Sequence, residues 1–185
     1  MHPNQENIFN TPIWGFVLRD QLHQNADYID YILNLQEKEY SHNKSNRGGF
    51  QSEDNLHTHG IFQEFNKFIL NCSRTILENY GGYTLYIQSM WANVNEQHHF
   101  NLPHVHEGVL SGVFYCKIPE DSGKLVLMDP AIRSTGHLIG NKNFFIEPKP
   151  LALIIFPSWL EHYVEPNKSE ESRVSISFNI GIKEL

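Results

Sequence analysis

The sequence predicts an α+β domain in which N-terminal helices buttress one sheet of a β-sandwich. Three observations carry this. Before Gly81, apolar residues recur at three- and four-residue steps. After Gly82 the period falls to two, and seven or eight short strands follow. Helices first and strands afterwards is the order of an α+β fold, not of alternating βαβ units.

Taken in order, residues 8–18 read as a short strand, and Pro12 confines it to a sheet edge. Residues 20–40 read as a helix, with Asn25 as its candidate cap and Ile29, Ile32, Leu33 and Leu35 as a ragged apolar stripe. Residues 41–56 are polar and contain Gly48-Gly49. A 16-residue loop is long for a compact domain and suggests a lid. The clearest helix spans 58–80, where Ile61, Phe62, Phe65, Phe68, Ile69, Cys72, Ile76 and Leu77 form one face. Gly81 and Gly82 end it.

Residues 83–95 form a strand with Trp91, Asn93 and Asn95 on one face and Ala92 and Val94 on the other. A loop is expected over 96–103, then strands over 109–118 and 124–128 separated by a turn at 119–123. Residues 131–143 read as a loop. Residues 144–147 and 151–156 flank Pro148-Lys-Pro150 as a hairpin. The last strand, 173–182, alternates cleanly: Arg173, Ser175, Ser177 and Asn179 face one way, and Val174, Ile176, Phe178 and Ile180 the other.

A length of 185 residues suits one domain over 1–185, with 1–82 as a mainly helical buttress and 83–185 as the strand-built core. Hydrophobic residues at 40% and charged residues at 19% describe a globular chain. A net charge of −7 with no Lys/Arg run speaks against nucleic-acid or anionic-membrane binding. Cys72 and Cys116 are not spaced as a redox pair and read as buried reduced thiols. Met1 to Gln5 is polar, with no apolar leader behind it, and no apolar run approaches membrane-spanning length. The expected location is cytoplasmic. Exposed strand edges leave a homodimer open.

Histidine is the unusual count. The chain has 11, and His98, His99, His104 and His106 crowd one short stretch. His104 and His106 lie two apart, which puts both rings on one face of an extended segment. His162 follows in Phe156-Pro-Ser-Trp-Leu-Glu-His162. Three neutral imidazoles suit a transition metal rather than magnesium or calcium. His98 and His99 read as loop residues, and His57, His59 and His137 as surface or cap residues. Arg173 offers a forked cation suited to a carboxylate. A strand bearing Arg, Ser, Ser and Asn on one face must turn them to solvent or to a polar cavity. Metal and arginine in one barrel point to a ligand that reaches from one to the other, and a dicarboxylate such as 2-oxoglutarate fits.

These residues resemble the 2-oxoglutarate/Fe(II)-dependent dioxygenase superfamily, and more closely a small group of 2OG-Fe(II) oxygenases. The matching stretches are Trp91-Ala-Asn93, Pro103-His-Val-His106, Ser111-Gly-Val-Phe-Tyr115, Gly123-Lys-Leu-Val-Leu-Met-Asp-Pro130, Phe156 to His162 and Arg173-Val-Ser-Ile-Ser-Phe-Asn179. Thr11-Pro12 and Ser45-Asn-Arg-Gly-Gly-Phe-Gln-Ser52 extend the likeness over nearly the whole chain. The resemblance implies a double-stranded β-helix, or jelly roll, with Fe(II) as cofactor and 2-oxoglutarate as cosubstrate. It implies His104 and His162 as iron ligands and Arg173 and Ser175 as the partners of the distal carboxylate. Asn93, Asn95 and Tyr115 would contact the cosubstrate. The implied reaction couples decarboxylation of 2-oxoglutarate, to succinate and CO2, with hydroxylation of a small-molecule or peptide substrate.

One departure matters. The wider superfamily carries His-x-Asp or His-x-Glu where this chain has His-Val-His. His106 is the candidate third ligand, with Glu107 and Asp129 as carboxylate alternatives. Two rival functions stand beside the first. One is an oxo-acid-independent three-histidine dioxygenase of the cupin kind, which needs no Arg173. The other is a non-enzymatic jelly-roll protein that binds metal or ligand.

Overall fold

The computed structural model describes residues 10–18, 22–131 and 143–185. Strand β1 (Trp14–Val17) and helix α1 (Leu22–Lys38) come first. Two very short strands follow, β2 (Asn46–Arg47) and β3 (Phe50–Gln51). Two single 3₁₀ turns, Leu56–Thr58 and Gly60–Phe62, lead into helix α2 (Gln63–Ile76). The rest is strand: β4 (Tyr83–Asn95), β5 (Phe100–His104), β6 (Leu110–Lys117), β7 (Leu125–Met128), β8 (Asn143–Ile146), β9 (Ala152–Pro157), β10 (His162–Val164) and β11 (Arg173–Glu184).

The strands form two antiparallel sheets that face each other as a jelly roll. The major sheet runs β1-β9-β6-β11-β4-β3 and the minor sheet β2-β5-β10-β7-β8. β1 lies on the major sheet's edge, as expected, although Pro12 falls just before the strand and not within it. β11 is central and pairs along its length with β4 and β6.

Both helices pack on the outer face of the major sheet. Tyr28 and Ile32 of α1, Phe62, and Phe65 and Ile69 of α2 join Met90, Ala92, Phe114, Ile176 and Phe178 in one buried cluster. Aromatic rings knit it together, with Phe65 to Phe114 at 5.0 Å and Tyr28 to Phe62 at 5.1 Å between centroids. A smaller cluster of Leu125, Leu127, Phe156 and Leu160 lies between the sheets. The two faces of β4 and β11 therefore have different tasks. One seals the helices, and the other looks into the barrel.

Several expectations need correction. The segment 41–56 is not a free loop: β2 pairs with β5 in one sheet and β3 with β4 in the other. It is a strap that ties both sheets together. Asn25 does not cap α1 but lies inside it, and its amide donates to the Cys116 carbonyl of β6 at 3.0 Å. The second helix begins in 3₁₀ turns and ends at Ile76, before the glycines. The loop expected over 96–103 contains most of β5, whose Pro103 and mixed exposure hid its alternation.

The proposed hairpin at Pro148-Lys-Pro150 does not exist. β8 pairs with β7, while β9 pairs with β1 and β6 in the opposite sheet. Two prolines within three residues remove ladder donors, and the chain crosses between sheets there. The expected loop 131–143 falls almost wholly outside the described residues, as does His137.

Candidate active site

The inner face of the major sheet carries four rows of side chains, set by register. Asn95 of β4 faces Arg173 of β11. In the next row Gln51, Asn93, Ser175 and Tyr115 lie side by side across β3, β4, β11 and β6. Trp91, Ser177 and Val113 form the third row, and Ser89, Asn179 and Ser111 the fourth. The positions on β4 and β11 come from strands whose period of two is plain in the sequence. The residues of these rows, Ser111 excepted, line a cavity of about 850 Å³ together with the minor sheet and the strap.

Across the cavity stand the histidines. His104 ends β5, His162 opens β10, and the two residues are direct cross-strand neighbours. His106 lies just beyond β5, where its backbone N–H donates to the Ser158 carbonyl at 3.0 Å. The ligand nitrogens of His104, His106 and His162 all lie within 4.8 Å of one another. The His104 and His162 rings are 4.3 Å apart between centroids, and His106 sits 4.8 Å and 5.0 Å from them. Packing against Trp91, at 5.4 Å, holds the His106 ring.

Two backbone contacts select the tautomers. Nδ1 of His104 lies 2.6 Å from the Leu102 carbonyl, and Nδ1 of His162 lies 2.8 Å from the Leu160 carbonyl. A carbonyl can only accept, so each Nδ1 carries the proton and each Nε2 presents its lone pair to the cavity. The environment keeps the rings neutral. Burial lowers the pKa of His162 to about 3, with His104 and His106 adding to the effect. Burial, then His104, lowers that of His106 to about 4. Burial also lowers that of His104. Neutral imidazoles with fixed tautomers form a donor set that suits a first-row transition metal.

No carboxylate joins this cluster among the described residues. Glu107 is exposed, and the Asp129 carboxylate accepts from the Ala131 N–H at 2.8 Å. His106 is the third member of the cluster.

Arg173 is 2% exposed. Its guanidinium donates to the Ser122 carbonyl and, at 3.4 Å, to that of Gly123. No acidic side chain pairs with it among the described residues, so it closes no structural salt bridge there. Burial lowers its pKa to about 10, which still leaves it charged at neutral pH. Burial pushes the Tyr115 phenol up, and the nearby Arg173 pulls it back only in part. Tyr115 therefore keeps its proton as a donor. A buried cation without an anion is costly unless a ligand completes it. The cavity offers a histidine cluster that could hold a metal ion on one wall and a buried cation on the other.

Residues 89–179 match the family model described as "Putative 2OG-Fe(II) oxygenase". The chain belongs to the 2OG-Fe(II) oxygenases. This enzyme is thus a 2-oxoglutarate-dependent oxygenase, with Fe(II) and 2-oxoglutarate as its cofactor and cosubstrate. Solved structures agree on the fold. A prolyl-4-hydroxylase of Pseudomonas putida superposes with a TM-score of 0.69 at 13% identity, covering 95% of this chain and 94% of that one. A viral collagen prolyl hydroxylase of Paramecium bursaria Chlorella virus-1, solved with 2OG, gives 0.64 at 13%, covering 91% and 94%. The epimerase SnoN, solved with Fe3+ and alpha ketoglutarate, gives 0.72 at 10%, covering 92% and 79%. At such identities the likeness carries the fold alone. No curated protein matches this sequence.

Site residues that the sequence left unnoticed come mainly from the strap. Gln51 is 7% exposed in the row of Asn93, Ser175 and Tyr115, and Ser45 lies beside His104. Strands of two residues show no period, so only the likeness of Ser45 to Ser52 pointed there. His98 and His99 are loop residues as expected, and His99 packs against Gly48.

Proposed function

We propose that this oxygenase holds Fe(II) through Nε2 of His104 and His162 together with the His106 ring, and clamps 2-oxoglutarate between that centre and Arg173. The observation that supports this best is Arg173, a buried guanidinium without an acidic partner among the described residues, in the same cavity as three neutral imidazoles. It favours the 2-oxoglutarate reading over an oxo-acid-independent three-histidine dioxygenase, which would gain nothing from that cation. It also argues against a plain metal-binding protein.

The loaded centre supplies the oxidation: with O2, 2-oxoglutarate loses CO2 and becomes succinate, one oxygen atom entering the succinate and the other the substrate C–H bond. The protein's contribution is placement. Arg173 binds the distal carboxylate as a fork, and the Ser175 hydroxyl and Tyr115 phenol donate to it. Asn93 and Asn95 flank the chain of the cosubstrate from β4. Because Arg173, Ser175, Asn93 and Tyr115 sit on paired strands, register fixes their spacing from one another, and the packing of the two sheets sets their distance from the histidines. Trp91, Leu125 and Phe156 give the cavity apolar walls that keep bulk water from the reacting carbon. The part of the cavity under the strap is the space for the small-molecule or peptide substrate.

The same reading treats residues 1–185 as one domain and expects no nucleic-acid substrate, given the net charge of −7. Two buried free thiols, Cys72 and Cys116, suit a reducing compartment such as the cytoplasm. Among the described residues no helix is long and apolar enough to cross a membrane.

Anaerobic titration tests the assignment. Fe(II) and 2-oxoglutarate together should raise the weak visible charge-transfer band of the chelate. Arg173→Ala should weaken 2-oxoglutarate binding at least about 100-fold, the scale of a charge-assisted bidentate pair. It should leave Fe(II) affinity nearly unchanged. Normal 2-oxoglutarate affinity in that variant would refute the role of Arg173.

A further inference from the structure

The strap between α1 and the first 3₁₀ turn is the part of the site that the function above leaves unexplained. Its shape is fixed by backbone. The Leu102 N–H donates to the Ser45 carbonyl at 2.9 Å, and Asn46 pairs with Asn101 of β5. Gly48 and Gly49 then turn it with φ of +68° and +72°. A Cβ on Gly48 would sit 2.1 Å from the His99 ring, and one on Gly49 would sit 2.8 Å from the Val94 carbonyl. Only glycine lets the strap cross so close to β4. The result builds Ser45 onto β5 next to His104.

The Ser45 hydroxyl has one committed neighbour. Asn101 Nδ2 donates to its oxygen at 3.1 Å, so the hydroxyl's own proton must point elsewhere. The acceptor within reach is Nε2 of His104 at 3.4 Å, a separation too long for a strong bond. That nitrogen is the one that the Leu102 carbonyl leaves unprotonated and turns into the cavity. Metal binding would take up its lone pair. The Ser45 proton would then need another acceptor, and the nearest would be an oxygen bound next to His104. With histidine where relatives carry a carboxylate, no protein carboxylate among the described residues competes for it.

We propose that Ser45 is a positioning residue of the reaction centre, its hydroxyl held by Asn101 and donating to the 2-oxoglutarate oxygen that lies beside His104. The proposal rests on the 2-oxoglutarate reading given above. It assigns the strap a direct part in orienting the cosubstrate, and it explains why the strap is anchored in both sheets rather than left as a loop. A donor in this place withdraws charge from the chelating oxygen, so it should be visible in the chelate's spectrum and not only in turnover.

The test uses the full chain under argon, with Fe(II) alone and with Fe(II) plus 2-oxoglutarate. Ser45→Ala keeps the backbone contacts of the strap. It should weaken 2-oxoglutarate binding roughly tenfold, the share of one hydrogen bond to a charged acceptor. It should also shift the charge-transfer band while leaving the affinity for Fe(II) alone within about twofold. Asn101→Ala should give part of the same effect, and the double variant should be no worse than Ser45→Ala, because both act through one hydroxyl. An unchanged band and affinity in Ser45→Ala overturns the proposal. So does a loss of affinity for Fe(II) alone as large as the loss for 2-oxoglutarate, since that would make Ser45 a support for His104. Additive effects of the two variants overturn the role of Asn101. A wild-type protein that shows neither Fe(II) binding nor a band refutes the oxygenase site itself, a result readily told apart from the others.

Discussion

Three imidazoles crowded into one cavity make the metal-free protein sensitive to acid. Each ring is neutral in the folded state because burial opposes the charge, and for His106 and His162 the neighbouring histidines oppose it further. In the unfolded chain the same rings titrate near 6.5. Between that pH and the folded values of about 4 for His106 and about 3 for His162, the unfolded chain binds more protons. Stability is therefore complete above about pH 6.5 and falls as pH drops through that window. For His162, which is 4% exposed, the loss between pH 6.5 and 5 is about 2 kcal/mol. Urea midpoints of the metal-free protein at pH 7 and pH 5 should show the fall, and His162→Gln should reduce it, leaving the share of His104 and His106. Carboxylates titrate mostly below this range, so an equal fall in the variant would place the cause elsewhere. His104, His106 and Arg173 were legible in the sequence because Pro103-His-Val-His106 and Arg173-Val-Ser175 repeat at the period of a strand. Ser45 and Gln51 were not, since two-residue strands give the alternation nothing to repeat.

β11 is the element on which the site and the core meet. Arg173 and Ser175 look into the cavity, while Val174, Ile176 and Phe178 are fully buried on the helix side. Its neighbour β6 passes Phe178 at Gly112. A Cβ on Gly112 would lie 2.4 Å from Cζ of Phe178 and 2.9 Å from the Ile154 carbonyl. Phe178 has no room to retreat from it. Gly112→Ala should destabilise the protein by about 1–3 kcal/mol, as overpacking does. Any shift of β11 would also move the Arg173 fork, so 2-oxoglutarate affinity should fall alongside. Chemical denaturation and a cosubstrate titration of one preparation check both, and wild-type values in both would show that β11 does not couple them. The alternation of β4 and β11 made their two faces legible. Their partners were not: a period of two reports which way a side chain points, never which strand lies beside it. The mistaken hairpin at Pro148-Lys-Pro150 has that origin, as β8 and β9 are adjacent in sequence and lie in opposite sheets.

At the scale of the molecule, the strand-built half cannot close its own core. The order of helices and strands made the α+β class plain from sequence, yet it did not say how far the barrel depends on the first half. The outer face of the major sheet presents Met90, Ala92, Phe114, Ile176 and Phe178, and what covers them is Tyr28, Ile32, Phe62, Phe65 and Ile69. Four of the five on the sheet are large side chains that each gain roughly 1.5–3 kcal/mol from burial, so uncovering the face costs about 6–12 kcal/mol, as much as the 5–15 kcal/mol by which whole domains are stable. The missing half also supplies β1, β2 and β3, which edge both sheets, and the strap that walls the cavity. We therefore expect residues 83–185 expressed alone to lack a cooperative thermal transition by circular dichroism and to bind a hydrophobic dye strongly. The intact chain should melt in one step, with Fe(II) and 2-oxoglutarate raising the midpoint. A fragment that melts cooperatively and still binds 2-oxoglutarate would divide the chain into two units and make the helices an accessory to the barrel.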